Sequence, residues 1–484
     1  MITPKLLKTI KAYNFSLFYK DLFAGISIGL ISLPLALAFA IASGVKPEQG
    51  LYTAIVAGFL ISLLGGSRVQ IGGPTGAYVV IVYSVVQKYG YEGLALATLI
   101  SACLLLIMAF AKLGQWLKFI PISVIVGFTA GLALTIFMSQ VKDFLGLNVA
   151  HLPPAFIERC TVLCSTLHTW NMAAFLVSIT SLILIFFLRE RYPKAPAAII
   201  VVFFATVASY FFHLPIETIA SKYGELPHSL PMPVFPQFDL EQVKQVFPDA
   251  VTIAILGAIE SLLSAHVADK KIGARHNSNA ELFGQGIANI GSVIFSGIPA
   301  TGAIARTQAN INLGAKTPIS GITHALTLLV LLLFFAPWAS QIPLAALSAV
   351  LIYVAYNMSD IGHFYQILKG DRKEAVLLIV TFLLTVLIDL AVAVEVGVIL
   401  AALLFLKSMS ENTRIEKIEE DLKVVYQVEG PLFYGAADIL DNQEISADKP
   451  IVLDLRKATF IDGTGEQAIA DFKKRARAEV LRRC

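Results

Sequence analysis

Apolar residues along this chain gather in long stretches, on the scale of the roughly 20 residues that a helix needs to cross a bilayer core. They lie near residues 22–41, 50–65, 92–111, 120–140, 171–188 and 195–212, and again near 247–267, 281–296, 318–336, 341–357, 373–389 and 391–408. Two further apolar segments, near 76–87 and 302–312, each follow a Gly/Pro-rich stretch and are too short to cross as full helices. Counted as half-helices, they predict about fourteen membrane segments in two halves, 21–212 and 246–409, behind a short N-terminal segment 1–20. Lys5, Lys8, Lys11 and Lys20 ahead of the first stretch resemble a secretory signal. That stretch is long for a signal and many more follow, so it reads as an uncleaved span.

Lysine and arginine accumulate in short cytoplasmic loops. With the chain starting inside, the inner loops receive Arg68, Lys112, Lys118, Arg189, Arg191, Lys194, Lys270, Lys271, Arg275, Lys316, Lys369, Arg372 and Lys373. The outer loops receive Lys46, Lys88, Lys142, Arg159, Lys222 and Lys244. Losing one segment would invert the phase partway and erase this bias, so charge supports the count and predicts both termini in the cytoplasm. From about Glu411 the pattern changes. Alternation over 422–428 and an apolar run over 450–455 predict strands, and 465–480 predicts an amphipathic helix, giving a small soluble α/β domain over 410–484.

Composition agrees with a membrane protein: 56% of the 484 residues are hydrophobic and 15% charged, against roughly 25% charged in soluble domains. The net charge of +3 comes from scattered basic residues, without the basic stripe and interleaved aromatics of a nucleic-acid binder. Cys103, Cys160, Cys164 and Cys484 include no CxxC pair and no histidine at ligand spacing, so neither a zinc site, a disulfide scaffold nor a cofactor is expected. Cys160 and Cys164 read as unrelated thiols. The absence of a nucleophile–base pair, phosphate loop or metal cluster speaks against an enzyme.

The most informative feature is a repeat. Gly72-Gly-Pro-Thr-Gly-Ala77 recurs with one inserted residue as Gly297-Ile-Pro-Ala-Thr-Gly-Ala303, its Thr75 and Thr301 lying 226 residues apart. Each copy opens a short apolar segment at the corresponding place in its half, which points to a transport site at a repeat interface. A half-helix starting in mid-membrane offers free N–H groups and the positive end of its dipole to an anion, so Thr75, Gly76, Ala77, Thr301, Gly302 and Ala303 are the candidate anion-binding residues. Such breaks survive only where they face protein or a wet cavity. Glu260 lies deep in an apolar run. A carboxylate there costs about 2.5–3.5 kcal/mol unless paired, protonated or hydrated. Ser264 follows one turn later on the same face, so the two are candidates to bind a proton or a sodium ion. Arg306 either neutralises the anion or anchors the cytoplasmic end of its segment. His266, Asp269 and Lys270 read as interfacial residues, and Tyr78 as one wall of the cavity.

Together, Pro34-Leu-Ala-Leu-Ala-Phe-Ala40, Gly73-Pro-Thr-Gly-Ala77, Gly257-Ala-Ile-Glu-Ser-Leu-Leu-Ser264 and the stretch from Gly297 to Arg306 resemble the sulfate permease (SulP) family over nearly the whole chain. The tail, with Ile451-Val-Leu-Asp-Leu-Arg456 and Phe460-Ile-Asp-Gly-Thr-Gly465, is similar to the STAS domain that closes most members, though it stops at Cys484, short of the last elements. The resemblance implies a seven-plus-seven inverted repeat of core and gate domains, a homodimer in a bacterial inner membrane, and transport of sulfate, bicarbonate, chloride, oxalate or C4-dicarboxylates. Around Glu260 the chain looks most like dicarboxylate-transporting members. Sodium-coupled bicarbonate members tend to carry Asp and then Thr where Glu260 and Ser264 stand, which favours proton coupling. Thr464 takes the place of a phosphorylatable serine of STAS proteins. The expected function is proton-coupled uptake of C4-dicarboxylates or inorganic anions. The alternatives are sodium-coupled bicarbonate or sulfate uptake, an anion channel or exchanger, or a membrane-anchored enzyme or sensor.

Overall fold

The computed structural model describes residues 2–115, 121–149, 152–192, 195–235, 240–388, 390–420, 422–443, 445 and 449–481. Lys118, Lys194 and Cys484 lie outside these. The chain divides into two compact units, Met1–Val394 and Glu395–Cys484.

Helices occupy all of the expected segments. In the first half these are α1 (Phe15–Ala42), α2 (Pro47–Leu64), α3 (Gly76–Phe110), α4 (Ile122–Leu145), the surface helix α5 (Phe156–Thr166), α6 (Met172–Arg191) and α7 (Ala197–Phe211). In the second they are α8 (Leu240–Ile272), α9 (Ser278–Ile294), α10 (Ile304–Asn312), α11 (Ile319–Ser340), α12 (Leu344–Met358), the amphipathic α13 (Ile361–Lys369), α14 (Arg372–Leu387) and α15 (Leu390–Glu411). The first half-helix and the span after it are both contained in α3, which bends at Gly90, where φ is 69° and only glycine is unstrained. Among the described residues, eight helices are long and apolar enough to cross a membrane unaided. The chain is a polytopic helical membrane protein.

Local chemistry sets where helices begin. Pro47 opens α2 at the position where a missing N–H costs nothing, and the Asn171 side chain accepts from the N–H groups of Ala173 and Ala174 at the start of α6. The first unit packs as two bundles. One holds α1, α2, α3, α8, α9, α10 and α11; the other holds α4, α6, α7, α12 and α14, with α5 and α13 laid against it. Small residues make the seams inside each bundle, because in lipid close van der Waals approach replaces the hydrophobic drive. A Cβ on Gly29 of α1 would stand 2.7 Å from Thr327 Cβ of α11, and one on Gly131 of α4 2.7 Å from Thr385 Cβ of α14. Large apolar side chains such as Phe203, Phe211, Phe334 and Trp338 are exposed, as a surface facing acyl chains requires.

The second unit carries a five-stranded sheet in the order β3 (Arg414–Glu419), β4 (Val424–Leu432), β5 (Ile451–Asp454), β7 (Glu479–Leu481), with β6 (Ala458–Ile461) on β4. Among the described residues of this sheet, only the β3–β4 pairing is antiparallel. Helix α16 (Gly463–Ala476) packs Ala468, Ile469 and Phe472 with Tyr426 and Leu453. The helix expected over 465–480 therefore ends early. Arg477 turns left-handed (φ 49°), and 479–481 are captured as a parallel strand on β5, a long-range pairing that overrides the helical period.

Asp454 is buried while Arg456 is exposed, and Arg456 donates to both carboxylate oxygens at 2.7–3.1 Å. These bonds hold the carboxyl below its usual range, at about 2. A depressed pKa gives stability that is present above the unfolded value near 3.9 and lost as pH falls through about 2. Amide exchange in β4 and β5 should accelerate on acidification across that window, and Asp454→Asn should remove this pH dependence.

Candidate functional site

The two Thr-Gly-Ala copies meet. Strand β1 (Gly72–Gly73) pairs antiparallel with β2 (Thr301–Gly302), Gly72 opposite Gly302 and Gly73 opposite Thr301, and the Ala303 N–H donates to the Ile71 carbonyl at 2.8 Å. Helices α3 and α10 both start from this pair. Buried polar side chains satisfy the rest of the broken backbone, as a membrane interior demands. Gly302 N–H donates to Ser261 Oγ (3.1 Å), Ala300 N–H to Asn289 Oδ1 (2.7 Å) and Ile298 N–H to Thr53 Oγ1 (2.6 Å). Thr301 shares a hydrogen bond with Ser261 (2.7 Å) and donates to the Gly257 carbonyl (3.2 Å). The N–H groups of Gly302 and Ala303 are thus engaged within the protein. The first positions of each helix, Gly76 and Ala77 in α3 and Ile304 and Ala305 in α10, have no intrahelical partner.

Glu260 stands beside the first break: Thr75 Oγ1 donates to its Oε2 at 3.2 Å. Glu260, half-buried as a residue, lines a cleft of about 30 Å³ between the bundles, faced by Val124 and Phe128 of α4, Ile259 and Leu263 of α8, and Ile304 of α10. That volume is on the scale of one water molecule. Tyr78, fully buried, donates to the Ile253 carbonyl at 2.8 Å and so ties α3 to α8. A Cβ on Gly257 would lie 2.1 Å from its hydroxyl.

Ser264 shares the helix face of Glu260, yet its hydroxyl donates to Thr307 Oγ1 (3.2 Å), which in turn accepts from Ile71 N–H (3.0 Å). It braces α10. Arg306 is buried at 3% exposure; Nη2 donates to the Pro74 carbonyl, and Nη1 lies where a Cβ on Gly73 would come within 2.9 Å. Arg306 therefore ties the second half-helix to the first break, and Nη1 finds no acceptor among the described residues. His266 and Lys270 are exposed, and Asp269 pairs with His276 at 2.7 Å, apart from the break.

Two other buried acids, Asp21 and Glu281, escaped sequence reasoning because both sit at the ends of apolar runs. Asp21 accepts from Lys316 N–H, Thr317 N–H and the Thr317 hydroxyl at 2.5–3.1 Å. Glu281 accepts from Gly66 N–H, Ser67 N–H and Gln285 at 2.8–3.1 Å. Each clamps a turn, and so many donors hold it in one role. Among the described residues Glu260 accepts from one hydroxyl, fewer donors than either.

The sequence profile of the sulfate permease family matches residues 18–381. The chain belongs to this family. The permease is 43% identical over 479 residues to the putative sulfate transporter YvdB of Bacillus subtilis, covering 96% of this chain and 90% of that one. It is 31% identical over 450 residues to the bicarbonate transporter BicA of Picosynechococcus, covering 86% and 79%. Among solved structures, the transmembrane domain of a cyanobacterial BicA matches with TM-score 0.69 at 28% identity, over 83% of the permease and all of that chain. Murine Slc26a9 shares the fold alone, with TM-score 0.87 at 19% identity over 99% of the permease and 87% of that chain. The permease is thus a multi-pass member of a family of inorganic-anion transporters.

Proposed function

We propose that this chain is a secondary carrier that takes up a small inorganic anion such as sulfate or bicarbonate together with a proton. The anion sits between the starts of α3 and α10, held by the N–H groups of Gly76, Ala77, Ile304 and Ala305, with Thr75, Thr301, Gly302 and Ala303 forming the wall behind it and Arg306 supplying positive charge. Glu260 is the coupling site. The observation that carries this reading is the Thr75–Glu260 hydrogen bond, which joins a titratable carboxylate directly to the residue that opens the first half-helix. Two relatives named as sulfate and bicarbonate transporters support an inorganic substrate ahead of a C4-dicarboxylate. Sodium coupling, the second reading, is disfavoured by the Ser264 hydroxyl, which donates to Thr307 instead of joining Glu260 as an oxygen ligand. The reading includes a homodimer in a bacterial cell membrane with both termini cytoplasmic, supported by the loop charge bias, and a C-terminal STAS domain, supported by the sheet of the second unit.

Purified protein in liposomes should accumulate labelled sulfate or bicarbonate under an inward proton gradient without sodium, and not under a sodium gradient at symmetric pH. Accumulation of labelled succinate or fumarate instead would move the substrate to dicarboxylates. Uptake that only equilibrates under every gradient would mean a channel.

A further inference from the structure

We propose that Arg159 and Tyr83 form a latch holding the two bundles together at the end of the protein that carries α5. Arg159 in α5 is 3% exposed, and among the described residues no carboxylate pairs with it. Its guanidinium is instead spread over backbone: Nε donates to the Pro153 carbonyl (3.1 Å), Nη2 to Pro154 (3.1 Å) and Nη1 to Thr135 of α4 (3.3 Å). Those bonds fix it to the second bundle and leave its charge uncancelled. The guanidinium also lies over the Tyr83 ring, with 5.7 Å between Cζ and the ring centroid. A cation within about 6 Å of an aromatic centroid is attracted by the ring quadrupole. Tyr83 also donates its hydroxyl to the Leu152 carbonyl, and its ring edge packs on the α1–α2 turn, where a Cβ on Gly44 would come within 3.0 Å.

Tyr83 lies on α3, two turns beyond Gly76, in the half-helix that the substrate site uses. Any displacement of α3 relative to α4 and α5 must therefore break the ring contact and the Leu152 hydrogen bond together, while the three carbonyl bonds of Arg159 stay intact. One side of the latch is rigidly mounted and the other is weak, which is the arrangement of a contact made to open. The inference rests on the carrier reading for its purpose, since a carrier needs its bundles to separate at one end in turn.

The test measures distance and needs no transport. In full-length protein with its four cysteines replaced by serine, spin labels at Lys88→Cys and Ser165→Cys, both exposed, report the separation of α3 and α5 in lipid nanodiscs. The parent should show a dominant short distance and a minor long one. Arg159→Met should raise the ratio of long to short distances about threefold, the size of one cation–π contact; Tyr83→Leu, which also loses the Leu152 hydrogen bond, should raise it at least as far, and the double variant should not exceed Tyr83→Leu. Unchanged distributions in Tyr83→Leu would overturn the latch. A shift in Arg159→Met alone would also overturn it, because the arginine would then only brace the turn before α5. Should Arg159→Met aggregate, Tyr83→Leu and Tyr83→Phe decide the matter, since neither touches the three carbonyl bonds of Arg159; Tyr83→Phe loses only the Leu152 bond and should shift the ratio less than Tyr83→Leu, and equal shifts would overturn the ring contact. Shifted distances without concentrative uptake would keep the latch and remove the carrier.

Discussion

Glu260→Gln should abolish proton-driven accumulation while leaving anion exchange measurable. Glutamine keeps the shape of the side chain and still accepts the Thr75 hydroxyl bond, but it carries no titratable proton. With one proton moved per anion, a gradient of one pH unit supplies about 1.4 kcal/mol, a limiting accumulation of about tenfold. Wild type should approach that ratio and Glu260→Gln should stay at about onefold. Counterflow of labelled against unlabelled anion, which needs binding and bundle movement but no net proton transfer, should persist. If Glu260→Gln concentrates substrate as wild type does, Glu260 joins Asp21 and Glu281 as a structural acid and coupling lies elsewhere. The contrast among the three is physical. Several donors aimed at one carboxylate fix it in place, while a single hydroxyl at 3.2 Å holds Glu260 less firmly.

Gly302→Trp should reduce uptake to background in a protein that still assembles. A Cβ built on Gly302 would lie 1.6 Å from Nε2 of Gln70 and 2.6 Å from its Cδ, so even alanine forces Gln70 aside. Gln70 is buried, so it moves aside only by displacing its neighbours. Overpacking of this kind costs about 1–3 kcal/mol. Gly302→Ala should accordingly lower the thermal midpoint and slow uptake, and Gly302→Trp should also push the β1–β2 pair apart and displace the start of α10. Size-exclusion profiles alongside uptake separate the two effects. Wild-type uptake by folded Gly302→Trp would mean that the anion passes elsewhere.

Much of this was legible along the chain. Lipid imposes one requirement on every crossing segment, a run of apolar residues with its backbone bonded internally, so the fourteen segments could be counted from hydropathy and their phase checked by loop charge. Glycine and proline in corresponding places of two halves marked the broken helices for the same reason. The prominence of Glu260 also followed from local context, as one acid amid apolar neighbours. Other features needed the folded chain. Nothing in one dimension says that Gly72 faces Gly302, or that Thr75 reaches an acid 185 residues away. Nor does it say that Ser264, one turn from Glu260, turns to Thr307, or that the Gly302 and Ala303 N–H groups are already engaged within the protein. The helix expected over 465–480 failed likewise, since β5 offered 479–481 a strand partner that local periodicity does not contain. Hydropathy is a property of each residue and its near neighbours, so it is written in order along the chain. Hydrogen-bond partnership is a competition among all groups that packing brings within about 3 Å, and it is settled only once the bundles have formed.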